Sequence, residues 1–142
     1  TVHVEACADL PATIESIRTL GLTPAVSLNP ATPLESIESE LTQVARVLVM
    51  TVIPGKGGQS FMREVLPKLQ QLVTLRDKRG LEFEIAVDGG IKADTAGEAV
   101  KAGAEVLVSG TALFGHPDGV AAGAKALRTA LSTLSYCSPS PS

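Results

Sequence analysis

Short runs of β-branched and aliphatic residues alternate along this chain with stretches whose apolar positions recur every three or four residues. Val2 to Ala6 reads as a first strand. Asp9 is placed to cap a helix, Pro11 suits its first turn, and Leu10, Ile14, Ile17 and Leu20 form its apolar stripe until Gly21 stops the run. Ala25 to Leu28 predicts a second strand, followed by the turn Asn29-Pro30-Ala31-Thr32-Pro33, where Thr32 and Glu35 have capping-box spacing. A third strand, Val47 to Val52, is apolar nearly throughout, as a strand covered on both faces should be. The Gly-rich loop Ile53 to Gln59 separates it from a long helix, about Phe61 to Arg79, closed by Gly80. Phe83 to Val87 runs as a fourth strand into Asp88-Gly89-Gly90, and a short helix from about Asp94 ends near Gly103. A fifth strand, Glu105 to Ser109, meets Gly110-Thr111, and a last helix spans roughly Asp118 to Leu131. The closing Ser138-Pro139-Ser140-Pro141-Ser142 has nothing to bury and is expected to be disordered.

Five βα units in succession predict an α/β fold with a parallel sheet, either open and doubly wound or part of a closed β/α barrel. Both architectures place chemistry at the carboxyl ends of the strands. No G-x-G-x-x-G follows the first strand, which argues against a dinucleotide site, whereas glycines after the last two strands suit the phosphate site of many barrels. The expected fold is therefore a partial TIM (β/α)8 barrel of about five βα units.

Length and composition narrow this only slightly. With 142 residues and 44% hydrophobic content, one domain is expected, residues 1–131, with 132–142 as a tail. A net charge of -3 offers no footprint for nucleic acid or an anionic membrane, so the expected partner is a small molecule. Cys7 and Cys137 lack framework or metal-ligand spacing, which favours a reducing compartment, with cytoplasm the default. No apolar run reaches the roughly 18 residues of a bilayer span, and no signal-peptide pattern is present. A start at Thr1 suits a processed chain or a piece of something longer.

A phosphate dianion wants several backbone N–H donors converging on it, and glycine lets the backbone come close. Gly89 with Gly90, and Gly110 with Thr111, place two such turns at one rim. Tight βα turns favour glycine for their own sake, and it is the adjacency of the two that favours phosphate. Asp88, ending an apolar strand, is a candidate base or ligand, although aspartate also caps turns. The loop Pro54 to Gln59 has three glycines in six residues and reads as a lid or as a structural loop. It lacks the Gly-Lys-Ser/Thr of a Walker A motif. His3 and His116 have no second ligand at useful spacing, and Cys7 has no base to activate it, so structural roles are expected for all three.

In chain order, His3-Val4-Glu5-Ala6, Leu28-Asn29-Pro30-Ala31-Thr32-Pro33, Met50-Thr51-Val52, Pro54-Gly55-Lys56-Gly57-Gly58-Gln59-Ser60-Phe61, Val87-Asp88-Gly89-Gly90-Ile91 and Ser109-Gly110-Thr111-Ala112-Leu113-Phe114 resemble the ribulose-phosphate 3-epimerase family. The resemblance extends to about Leu131 and implies a β/α barrel that interconverts D-ribulose 5-phosphate and D-xylulose 5-phosphate at C3. It implies that Asp88 is both a metal ligand and the proton carrier on one face of the substrate. Gly55, Lys56, Gly57 and Gly58 are the implied lid, and Gly89, Gly90, Gly110 and Thr111 the implied phosphate grip. The implied cofactor is a divalent metal ion, zinc or otherwise iron, manganese or cobalt, which stabilises the enediolate as a Lewis acid.

Two departures qualify what the resemblance implies. Lys56 stands where the family usually has Phe, a charge where an apolar cap would shield the intermediate. Val2 to Ala6 aligns with the fourth barrel strand, so the strands bearing two histidine ligands and the second catalytic aspartate are not in this chain. The chain alone is then expected neither to assemble the metal site nor to invert C3, and its two unpaired sheet edges imply poor solubility, a homo-oligomer or a complementing N-terminal segment. A hexulose-phosphate 3-epimerase and a non-catalytic phosphate-binding protein are the alternatives.

Overall fold

A computed structural model describes residues 1–134. In chain order the regular elements are β1 (Val2–His3), α1 (Leu10–Thr19), β2 (Val26–Leu28), β3 (Arg46–Met50), α2 (Leu66–Arg79), β4 (Glu84–Asp88), α3 (Ala96–Lys101), β5 (Val106–Val108), α4 (Thr111–Phe114) and α5 (Val120–Ser132). The local signals act as their chemistry requires. Asp9 caps α1 by accepting the Ala12 amide at 2.9 Å. Gly80 ends α2 in the left-handed conformation, with φ 61°.

Several expectations are corrected by contacts remote in sequence. The first strand is two residues long because Val4–Ala6 turn into a 3-10 helix. That turn carries the Glu5 carboxylate to the Asn29 amide at 2.6 Å and the Thr32 hydroxyl at 2.5 Å. With its hydroxyl so engaged, Thr32 forms no capping box with Glu35, and the short turn beginning at Leu34 has no side-chain cap. The long helix starts at Leu66 rather than Phe61, since the Met62 amide is drawn back to the Thr51 carbonyl at 2.9 Å. Leu20, the last position of the expected α1 stripe, lies past the end of the helix and is 75% exposed. Helix α4 was not anticipated; four residues are too few for a periodic signal. Of the expected tail, Ser132 ends α5 and Thr133 and Leu134 form a turn. The rest of that tail lies outside the described residues.

Strand order decides between the two candidate architectures. The sheet runs β1-β2-β3-β4-β5, every neighbouring pair is parallel, and the order never reverses as it must in a doubly wound sheet. Right-handed crossovers all stepping one way put the helices on one face, which is the wall of a β/α barrel. Val26, Leu28, Val47, Val49, Ile85 and Val87 form the core on that face with Ile14 of α1, Leu69 and Leu72 of α2 and Ala96 and Ala99 of α3. The alternate positions, among them Leu48, Met50, Ala86, Asp88, Val106 and Val108, stand on the other face.

Because all strands are parallel, their carboxyl ends share one rim. The opposite rim is tied by charge, with Arg46 on Glu84 at 2.9 Å and Arg76 on Glu105 at 2.8 Å. At the carboxyl rim, the ammonium of Lys68 on α2 donates to the carbonyls of Asn29, Pro30 and Thr32 at 3.2, 2.6 and 2.5 Å. Burial pushes the Lys68 pKa down, and the Glu5 charge offsets part of that.

Glu5 and Lys68 thus clamp the segment after β2 from two sides. Burial raises the Glu5 pKa, but hydrogen bonds from Thr32 and Asn29, its own backbone amide and His3 outweigh it, leaving Glu5 below its ordinary 4.5. A carboxylate depressed in the folded state contributes stability above its unfolded pKa and loses it as pH falls through the folded value. In urea unfolding, Glu5→Gln is therefore expected to be less stable than the unsubstituted chain at about pH 7, with the gap closing below roughly pH 4.5. A gap independent of pH would show that the Glu5 charge is not what holds the segment.

Candidate functional site

The carboxyl rim of β3, β4 and β5 opens into a cleft of about 630 Å³, and all nine residues singled out from the sequence line it. Gly55, Lys56, Gly57 and Gly58 form one wall from the loop after β3. Asp88, Gly89 and Gly90 form the floor at the end of β4, and Gly110 and Thr111 close the side beyond β5. The register explains the convergence. Met50 pairs with Asp88 and Asp88 with Val108, so three strand ends finish at one level. Met50, Lys92 and Val108 also line the cleft, and sequence reasoning passed over them as site residues. For Met50 and Val108 a signal existed, since alternation puts both on the same face as Asp88.

The two glycine turns differ in what they demand. Gly89 and Gly90 have φ of 125° and 67°, a region side chains rarely adopt. A Cβ on Gly89 would lie 2.4 Å from a Val52 methyl, and one on Gly90 would lie 2.6 Å from the Phe61 amide nitrogen. Val52 and Phe61 are the two roots of the Gly-rich loop, so turn and loop are packed backbone to backbone. Gly110, by contrast, has φ -111° and open space where a Cβ would stand. Among the described residues, the amides of Gly89, Gly90, Gly110 and Thr111 make no turn or cap hydrogen bond within the protein. They are donors open to water or to a ligand.

The loop itself has an internal brace. The Gln59 side-chain amide donates to the carbonyls of Ile53 at 2.6 Å and Lys56 at 2.9 Å, drawing the glycine-containing segment into a ring. Its base is closed by the Met62 amide on the Thr51 carbonyl. Lys56 and Lys92 add positive charge to the cleft, and Lys92 lies 3.5 Å from Asp94. Asp88 is the one carboxylate among the lining residues.

That donor set does not make a metal centre by itself. Among the described residues no three of His, Cys, Asp or Glu converge, so Asp88 offers one oxygen and a divalent ion would need several more ligands. His3 stands beside Glu5 at 3.4 Å, and His116 accepts the Asp118 amide at 3.2 Å through Nδ1; neither reaches the cleft. Cys7 packs partly buried against the core.

Several known proteins are similar to this chain. The profile of the Ribulose-phosphate 3 epimerase family matches residues 1–114, which include every residue named for the cleft. The ribulose-phosphate 3-epimerase of Bacillus subtilis is 43% identical over 119 residues, 83% of this chain and 55% of that protein. That of Methanocaldococcus jannaschii is 47% identical over 118 residues, 83% of this chain and 50% of its own length. The Escherichia coli K12 enzyme of the same name is 37% identical over 118 residues, covering 83% and 52%. The chain thus spans about half the length of the curated relatives it matches. Among solved structures, a ribulose-1,5-bisphosphate carboxylase/oxygenase from Pyrococcus horikoshii superposes with a TM-score of 0.51 at 20% identity over 86% of this chain and 31% of that one, a likeness of fold. No helix of the described residues is long and apolar enough to cross a membrane.

The contrast between the turns is measurable. Gly90→Ala is expected to destabilise the chain by about 2–4 kcal/mol, adding a positive-φ cost of roughly 1 kcal/mol to overpacking against Phe61. Gly110→Ala, with open space and ordinary φ, should stay within about 0.5 kcal/mol of the unsubstituted chain in denaturant unfolding. Equal losses at both positions would contradict the packing difference.

Proposed function

The chain belongs to the ribulose-phosphate 3-epimerase family, and on that premise we propose that its cleft binds a pentulose 5-phosphate and supplies one side of the reversible epimerisation of D-ribulose 5-phosphate and D-xylulose 5-phosphate at C3. The observation carrying this reading is the placement of Asp88 in one cleft with two glycine turns whose amides have no protein acceptor and a glycine-rich loop.

The chemistry follows from what each group can do. Amides of Gly89, Gly90, Gly110 and Thr111 take the phosphate oxygens, with Lys56 and Lys92 adding charge. Fixing that remote end leaves the reacting carbon to be positioned against the Asp88 carboxylate. Asp88 removes the C3 proton, and the electron pair of the broken C–H bond moves through C2 onto the carbonyl oxygen as an enediolate. Return of a proton to the opposite face of C3 completes the inversion. A second proton carrier is therefore required across the substrate, and among the described residues the cleft lining holds no second carboxylate. Closure of the Gly55 to Gly58 loop keeps water from the enediolate.

Asp88 also suits one coordination position of a divalent ion, zinc by the family resemblance, and would need further ligands beyond it. A barrel of this class has eight strands and this arc has five, with β1 and β5 as its edges. We take completion of the barrel by further strands, in the same or another polypeptide, as the condition for activity. Val108, 42% exposed on the concave face, supports that condition.

In the completed barrel, Asp88→Asn should lower kcat for ribulose 5-phosphate by about 100-fold or more, the scale of a lost acid–base group. Loss of solvent deuterium incorporation at C3 should accompany it. An unchanged rate in that variant would remove Asp88 from the proton transfer. The same assay with a 3-hexulose 6-phosphate tests whether Lys56 redirects the enzyme to the longer sugar.

A further inference from the structure

The carbonyls of the turn after β4 are held one after another from behind. The Asp88 carbonyl accepts the Thr51 amide at 2.9 Å, and the Gly89 carbonyl accepts the Thr51 hydroxyl at 2.6 Å. The Gly90 carbonyl accepts the Thr95 hydroxyl at 2.7 Å, and the Ile91 carbonyl accepts the Ser109 hydroxyl at 2.7 Å. Thr51 is wholly buried and Thr95 is 2% exposed. None of the three holders lines the cleft, while Gly89, Gly90 and Ile91 all do.

In a trans peptide the N–H points opposite to the C=O of the same unit. Drawing the Asp88 and Gly89 carbonyls back toward Thr51 therefore turns the Gly89 and Gly90 amides the other way, out toward the cleft. Left unheld, a glycine pair has many orientations open to it, and the amides would have to be ordered on each binding event. Thr51 removes that freedom at both amides, and the Thr95 hydroxyl fixes the Gly90 carbonyl while accepting the Lys92 amide at 3.0 Å, which closes the turn behind them. Ser109 adds a second effect, because it immediately precedes Gly110 and so ties the two glycine turns together. Thr51 does the same toward the loop, since its own carbonyl receives the Met62 amide at the loop base.

We propose that Thr51, Thr95 and Ser109 are positioning residues that hold the 88–91 turn with its amides presented to an anionic ligand, joining loop, first turn and second turn into one preformed phosphate site. This rests on the phosphate reading above. None of the three touches substrate, and their contribution is orientation.

Titration of the chain with inorganic phosphate, followed through the 15N amide resonances of Gly89 and Gly90, tests it. In the unsubstituted chain both resonances should shift saturably. Thr51→Val, which keeps the shape and loses the hydroxyl, should weaken phosphate binding about 10-fold, the scale of one lost orienting hydrogen bond. Thr51→Ser, which keeps the hydroxyl, should bind within about 3-fold of the unsubstituted chain. Ser109→Ala should also weaken binding, and it decides the matter if Thr51→Val does not fold. A purely structural role would lower the melting temperature and leave the dissociation constant of the folded chain where it was, and that result would overturn the proposal. Failure of the unsubstituted chain to bind phosphate at all would overturn the phosphate reading first and this inference with it.

Discussion

Everything at the functional rim depends on how closely the Gly89–Gly90 backbone approaches the two roots of the loop after β3. Side chains on that turn would overlap Val52 and Phe61, so the approach is available to glycine alone. It brings Thr51 within reach of two consecutive carbonyls and lets the turn, the loop and the end of β5 share hydrogen bonds. The parallel register beneath supplies the level platform: Met50, Asp88 and Val108 end together because the core-facing residues Val47, Val49, Ile85 and Val87 are buried behind them. A slip of one residue would send Asp88 into the hydrophobic layer.

The charge distribution is consistent with a site for an anion in a chain that is acidic overall. Much of the acidic surface is already engaged elsewhere. Glu84, Glu98 and Glu105 pair with Arg46, Arg63 and Arg76, Glu38 pairs with Arg79, and Glu5 is consumed by the segment after β2. In the cleft the balance reverses, with two lysines and several unpaired amides facing one carboxylate. Backbone dipoles fixed in place hold an anion without the rotamer entropy that long basic side chains lose on ordering. The lone carboxylate stands at the strand end, where the scaffold is stiffest and a proton-transfer group can be held to a narrow range of positions.

The two ends of the barrel arc divide the labour. Ion pairs across the amino-terminal rim, such as Arg46 with Glu84, tie strand starts together where no ligand needs access. At the carboxyl rim the 88–91 turn is held by hydroxyls and an amide, while charge acts around it, in the Glu5–Lys68 clamp on the segment after β2 and in the Arg63–Glu98 pair between the starts of α2 and α3. This leaves the field inside the cleft to the residues that face the ligand.

By itself the sequence determined the order of the five strands and of helices α1, α2, α3 and α5, and the glycine turns, because period, capping and left-handed glycines are properties of a few neighbouring residues. Asp9, Gly80 and the strand-end position of Asp88 were legible on those grounds. The tertiary structure alone decided the length of β1, the start of α2 and the use of Thr32, since each turns on a partner far along the chain: Glu5 for Thr32 and Thr51 for Met62. It alone also settled the winding, which depends on strand neighbours rather than strand sequences. Thr51, Thr95 and Ser109 carried no local mark of their role. A hydroxyl in a sequence does not announce which carbonyl it will hold, and the Gly89 carbonyl held by Thr51 lies 38 residues away.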